Sequence, residues 1–291
     1  MPKIVAFTAA LVTLLIAVAS VRAAAVSTES KPNVSLFDYD RTAPLSVVSG
    51  KTTTSQGVVR EELSYLAGAS LRLKAYFVHP ESGGPWPLVI WSPGAFGDRR
   101  QQLPEAVDLA RRGTASLLVD APPMKPGCRD GLPLYVKYVV SRRRAVDLAA
   151  TLPNVDAKRV AAAGFSFGAE ITAVLSGVEH RIVAFALKSG RGHNTGFVRI
   201  VCTSLGAAKL DAYVAKLSVV DPVRWLGRAT RSAVLIQNGT RDGLTPRPDV
   251  LALYNAARKP KDLRWYPAGH DLNPAATEYR AQWLLRQLRA G

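Results

Sequence analysis

The chain is expected to form one α/β domain, a mostly parallel central sheet with helices on both faces and a small cap insertion. Short, continuously apolar runs such as Leu88-Val89-Ile90-Trp91 lack polar alternation, the pattern of strands buried on both faces. From that run onward, strand-like and helix-like stretches alternate, which implies parallel strands joined by right-handed crossovers. The composition, 48% hydrophobic and 21% charged over 291 residues, is that of a globular protein and excludes a disordered or collagen-like chain. A core of this size needs no disulfide scaffold.

Residues 1–23 have the pattern of a secretory signal. Lys3 supplies a positive start, and Ile4 to Val21 form an apolar run interrupted only by Thr8, Thr13 and Ser20. Val21-Arg22-Ala23 then offers small residues for cleavage after Ala23. An uncleaved anchor is the alternative, since the run approaches the length of a membrane span. Either way the protein is expected to be exported, to the periplasm or outside the cell. No later run is long enough for stable membrane insertion once the signal is gone.

Residues 24–57 are polar, contain Pro32 and Pro44, and read as an irregular leader. The α/β domain is expected over 58–291. Val58 to Leu66 and Leu71 to Val78 alternate as an antiparallel pair around Gly68, followed by a turn at Pro80 to Pro85 and the strand Leu88 to Trp91. A helix over Arg99 to Arg112 stops at Gly113, and Ala115 to Val119 is a strand. Leu134 to Leu152 is helical, Val160 to Ala163 a strand, Phe167 to Leu175 a helix and Ile182 to Leu187 a strand. Ala233 to Gln237 is a strand, and Pro248 to Arg258 a helix with proline at a favoured first-turn position. Leu263 to Tyr266 is a short strand, and Pro274 to Leu288 closes the chain as a helix. No strand is apparent between Leu187 and Ala233. A helix from Ala207 to Leu217 and the pair Asp221-Pro222 mark a cap-like insertion at about 190–230, leaving the carboxyl end of a strand.

The net charge of +16 would draw the protein to anionic surfaces or substrates. The charges are scattered, and the one cluster, Arg142-Arg143-Arg144, lies on a helix and reads as its solvated face. No nucleic-acid motif accompanies it, so a nucleic-acid partner is not expected.

Gly164-Phe165-Ser166-Phe167-Gly168 matches G-x-S-x-G. Chance supplies such pentapeptides, so its context carries the argument: it follows a strand and opens a helix. That turn forces the serine into a strained conformation with its hydroxyl above the sheet, and flanking glycines remove clashes. A serine needs a base to be a nucleophile. The chain has four histidines, His79, His180, His193 and His270. His270 follows the last strand at the sheet edge that carries Ser166, and is preferred to His193, which lies in the insertion. Asp242, after the strand Ala233 to Gln237, is the candidate orienting acid. Asp221 and Asp249 are its rivals, as a turn or helix cap and a first-turn residue respectively. The N–H groups of Phe167 and of Ala95, in Ser92-Pro93-Gly94-Ala95-Phe96-Gly97, are the candidate oxyanion donors. No metal or organic cofactor is implied, because His and Cys lack zinc-ligand spacing and the loop after Trp91 lacks a nucleotide-binding pattern.

Pro87 to Gly94, Gly164 to Gly168, Asp242-Gly243 and Gly269-His270 together resemble the α/β-hydrolase superfamily, in its dienelactone-hydrolase-like branch with bacterial cutinase-like and acetylxylan-type esterases. The resemblance runs from about Val58 to the carboxyl terminus. It implies a serine hydrolase acting on a small or polymeric carboxylic ester through an acyl-enzyme, with a peptidase or amidase, or a silent binding fold, as alternatives. Departures are Ser-Pro-Gly at 92–94 where His-Gly is commoner, Phe167 where polyester-cleaving relatives carry Met, and Ser166 where dienelactone hydrolases carry Cys. The same topology brings the loops bearing Cys128 and Cys202 to the catalytic edge, and a disulfide between them would tie the insertion beside the site.

Overall fold

Consecutive residues of each central strand point to opposite faces of the sheet, and both faces are buried. Leu88 and Ile90 enter one core with Leu117, Val119, Val160 and Ala162, while Val89 and Trp91 enter a second with Leu118, Ala161 and Ala163. This is why the strands read as unbroken apolar runs. Each fully buried aliphatic side chain contributes roughly 1.5–3 kcal/mol, and truncating one such as Leu88 to alanine should cost about 2–5 kcal/mol.

The computed structural model describes residues 32–68, 70–124, 131–194, 198–199, 202 and 204–290. The proposed signal, and Cys128, lie outside the described residues. Nine strands form one sheet: β1 Val48–Ser55, β2 Val58–Leu66, β3 Arg72–Pro80, β4 Trp86–Ser92, β5 Ala115–Val119, β6 Val155–Phe165, β7 Ile182–Lys188, β8 Ala233–Gly239 and β9 Lys261–Tyr266. Their spatial order is β1-β2-β3-β5-β4-β6-β7-β8-β9. β1, β2, β3 and β5 pair antiparallel in turn, and all pairs from β5 to β9 are parallel.

Helices α1 Leu103–Arg111 and α7 Pro274–Ala290 cover one face, through Leu109, Ala110, Leu284 and Leu288. Helices α2 Gly131–Ala149 and α3 Phe167–Ser176 cover the other, through Tyr138, Val139, Phe167 and Ile171. The insertion between β7 and β8 holds α4 Ala207–Leu217, a 3-10 turn at Ser218–Val220 and the short α5 Pro222–Leu226; α6 Arg247–Ala256 follows β8. β4 lies between β5 and β6, so the chain moves one way across the sheet for β5 and the other way for β6. In open α/β sheets a crevice forms at this point, beyond the strands' carboxyl ends.

Two expectations need correction. Residues 24–57 are not irregular throughout: they include β1 and a 3-10 turn at Val34–Phe37. β1 is a Thr- and Ser-rich edge strand, nearly all exposed, with an irregular register between Ser49 and Thr52. It carries no apolar alternation because neither face is covered, and its polarity protects an open edge. Phe37, by contrast, is fully buried, its ring edge-on to Trp225 of α5 at 5.1 Å. The second correction concerns Arg142-Arg143-Arg144. Arg142 is completely buried and Arg144 is 3% exposed. α2 lies across the sheet, so one side of the triplet turns inward.

Candidate active site

The backbone at Ser166 has φ 53° and ψ −123°, a left-handed conformation that costs about 1–3 kcal/mol for a residue with a side chain. Its N–H donates to the carbonyl of Lys188 at 2.8 Å, which anchors the turn to β7. The two flanking glycines are required by close approach. A Cβ on Gly164 would lie 2.3 Å from the carbonyl oxygen of Gly168, and one on Gly168 would lie 2.2 Å from that of Ser92. The end of β6, the start of α3 and the end of β4 therefore meet backbone to backbone, with Ser166 at the apex.

His270, in the loop after β9, places Nε2 2.8 Å from Ser166 Oγ. Its Nδ1 lies 2.9 Å and 3.1 Å from the two carboxylate oxygens of Asp242, in the loop after β8. A carboxylate can only accept, so Nδ1–H is the donor and Nε2 is left to accept the serine proton. The Asp242 side chain is wholly shielded from solvent, and its carboxylate also accepts the N–H groups of Leu244 and Thr245 at 2.9 and 3.2 Å. Ser189, just past β7, donates its hydroxyl to the His270 carbonyl at 2.6 Å. The Phe165 ring lies 5.1 Å from the imidazole. The Lys188 ammonium lies over the Phe165 ring, 4.4 Å from its centroid, and burial lowers its pKa.

Ala95 lies in the loop after β4, and its N–H has no hydrogen-bond partner among the described residues. A Cβ on the neighbouring Gly94 would lie 3.4 Å from that of Ser166, so this loop runs directly beside the serine. Phe167 is the first residue of α3, with its side chain fully buried. The loop after β4 is held from below. Tyr138 donates its hydroxyl to the Pro93 carbonyl at 2.7 Å, and Gln101 accepts the Gly94 N–H at 2.7 Å. Arg142 donates to Ser92 Oγ at 3.0 Å and to the carbonyls of Val119 and Asp120 at 3.0 and 3.1 Å, while packing on the Tyr138 ring. Tyr138 and Arg142 carry no sequence signal for this role because α2 holds them, with Tyr138 45 residues from Pro93, and only tertiary packing brings them to the loop.

The other candidates lie elsewhere. His79 is engaged by Glu61 and the Pro80 carbonyl and stacks on Trp86. His180 precedes β7, at the opposite edge of the sheet. His193 pairs with Asp249 through Nδ1, which raises its pKa. Asp221 accepts the N–H of Asn194 at 2.7 Å, and burial raises its pKa to about 6. Cys202 is buried and disulfide-bonded. Among the described residues no group of His, Cys, Asp and Glu is placed to hold a metal ion, and no helix is long and apolar enough to cross a membrane.

Solved structures share this architecture. An acetyl xylan esterase from Paenibacillus sp. R4 superposes with a TM-score of 0.71 at 19% identity, covering 84% of this chain and 89% of that one. Acetyl xylan esterase 1 from Thermoanaerobacterium sp. JW/SL YS485 also gives 0.71, at 16% identity over 87% and 91%. A glucuronoyl esterase from Solibacter usitatus gives 0.65 at 11% identity over 87% and 91%. These likenesses establish the α/β-hydrolase fold. Among curated proteins none matches this chain in sequence. The acetyl xylan esterase family model matches residues 129–287, more than half of the chain and all of the segment bearing Ser166, Asp242 and His270. The chain therefore belongs to the acetyl xylan esterase family and is a carboxylic ester hydrolase.

Proposed function

We propose that ester hydrolysis proceeds through an acyl-enzyme formed on Ser166, with His270 as base and Asp242 as its orienting acid. The observation that carries this reading is the continuous chain from Asp242 through Nδ1 and Nε2 of His270 to Ser166 Oγ, with contacts of 2.9 and 2.8 Å. Ser166 Oγ attacks the ester carbonyl carbon while Nε2 takes its proton. The shielded Asp242 carboxylate stabilises the imidazolium that results. Negative charge develops on the former carbonyl oxygen, where the N–H groups of Ala95 and Phe167 serve as donors, together worth several kcal/mol. As the tetrahedral adduct collapses, His270 returns the proton to the departing alcohol. Water then attacks the acyl-enzyme, again losing a proton to His270, and the acid leaves as Ser166 is restored.

The family description supports an acetyl group on a carbohydrate hydroxyl as the substrate. A panel of 4-nitrophenyl esters graded by acyl length, run beside peptide and amide substrates, tests the reading. Highest kcat/KM on acetate is expected; turnover of peptides in preference to esters would replace it with a peptidase. Lys3 and the apolar run Ile4 to Val21 support export, which sequencing of the amino terminus of cell-produced protein would check.

A further inference from the structure

Phe96 is the most exposed of the large apolar side chains among the described residues, at 68%, and the only aromatic one of that exposed set. It directly follows Ala95, whose N–H is a proposed oxyanion donor, in the loop after β4. Gly97 donates its N–H to the Gly94 carbonyl at 3.0 Å, closing a tight turn with Ala95 and Phe96 at its two central positions. Phe96 has φ 58°, in the left-handed region. A turn with that demand at its second central position ordinarily takes glycine or asparagine. Here glycine stands at 94 and 97, yet phenylalanine occupies the one left-handed position.

One exposed apolar residue is ordinary on a protein surface. At Phe96 two local preferences are broken at once: the ring has no core to enter, and the backbone has no glycine. Local violations of this kind gather at functional sites. The loop itself is held, because Tyr138 binds the Pro93 carbonyl and Gln101 binds the Gly94 N–H. Ser166, Ala95 and His270 are each partly open to solvent, so an ester reaches them from outside. Consecutive Cα atoms lie about 3.8 Å apart, so a group attached to a carbonyl held at the Ala95 N–H comes within reach of the Phe96 ring.

An acetyl group is too short to cover a phenyl face, so the alcohol portion of the ester is the part that meets it. Asp98 and Arg100, just beyond the ring in sequence, are charged and paired with each other. Such surroundings suit a partner with an apolar face and a polar rim better than a long alkyl chain. A pyranose has that form, with C–H groups on its faces and hydroxyls around its edge. The electron-rich face of a phenyl ring attracts those C–H groups while the hydroxyls stay in water. We infer that Phe96 is a stacking platform for the sugar ring that carries the ester, and so sets specificity for the alcohol. This rests on hydrolysis at Ser166 with Ala95 at the oxyanion.

The test compares an O-acetylated methyl pyranoside with ethyl acetate, whose alcohol has no ring, by titration of the acid released. The ratio of their kcat/KM values is measured for wild type, Phe96→Leu, Phe96→Gly and Phe96→Trp. Phe96→Leu keeps an apolar side chain without a flat face, and Phe96→Trp keeps a face. Loss of one aromatic contact should lower the ratio of pyranoside to ethyl acetate about three- to tenfold in Phe96→Leu and Phe96→Gly. The fall should be carried by KM on the pyranoside, and Phe96→Trp should restore the wild-type ratio. Phe96→Gly suits the left-handed turn, so its thermal midpoint should equal or exceed that of wild type. A ratio unchanged in both Phe96→Leu and Phe96→Gly, including an equal loss on the two esters, would overturn the platform and leave hydrolysis at Ser166 standing. Wild type that cleaves neither ester would overturn the hydrolytic reading and the platform with it.

Discussion

The hydroxyl of Tyr138 donates to the carbonyl of Pro93 at 2.7 Å, so a helix on one face of the sheet holds the loop that runs beside Ser166. The same tyrosine ring lies 5.7 Å from that of Phe167 and carries the Arg142 guanidinium at 4.5 Å. One aromatic side chain thus touches the flank of each proposed oxyanion donor. Removing a donor itself typically costs about 100- to 1,000-fold in kcat; loosening its support should cost less. Tyr138→Phe is expected to lower kcat about tenfold with a small change in KM, read from steady-state hydrolysis of 4-nitrophenyl acetate. A rise in KM at unchanged kcat would place Tyr138 in ground-state binding instead.

Arg142 has a different weight, because a guanidinium buried with carbonyl and hydroxyl partners cannot be truncated without leaving those partners bare. Arg142→Met should destabilise the fold by about 1–3 kcal/mol for each buried acceptor left bare, seen as a lower midpoint in urea. Arg142→Lys keeps the charge but loses the fork that reaches Ser92 and the β5 carbonyls together. It should fall between wild type and Arg142→Met in both stability and kcat.

Asp242 fixes the tautomer of His270 through the bond to Nδ1. Asp242→Asn keeps the shape but supplies no carboxylate, and its amide can turn the imidazole so that Nε2 carries the hydrogen. The expected loss in kcat is about 10,000-fold, the size seen when the acid of a serine-protease triad is so changed, with little change in the folded spectrum. A loss below about tenfold would transfer the orienting role to another group.

Asp221 supplies a pH-dependent stability term. Burial raises its folded pKa to about 6 from an ordinary 3.8. The folded state therefore holds more protons than the unfolded state between those values, and stability falls as pH rises through that window. The difference amounts to about 3 kcal/mol at neutral pH. Asp221→Asn retains an oxygen for the Asn194 N–H and removes the buried charge. Urea unfolding should show the variant more stable than wild type at pH 8, with the advantage shrinking toward pH 4. An advantage that grew on acidification would contradict this sign.

Much of the candidate site was legible in sequence because each residue of the proposed triad lies in a loop directly after a strand of the parallel part of the sheet. Ser166 follows β6, Asp242 follows β8 and His270 follows β9, and parallel strands bring all such loops to one edge. The remainder depended on packing between distant elements. Arg142-Arg143-Arg144 has the local signature of a solvated face, yet Arg142 turns under β4 and finds acceptors on β4 and β5. β1 was hidden for the opposite reason: an exposed edge strand of Thr and Ser has no buried face to impose a pattern.

The central claim is that Ser166 is the nucleophile, and covalent labelling tests it most directly. A fluorophosphonate incubated with the folded protein, followed by peptide mass mapping, should give a single adduct on the peptide containing Ser166, and Ser166→Ala should give none. No adduct on the folded wild-type protein, or an adduct at another residue that persists in Ser166→Ala, would contradict the account.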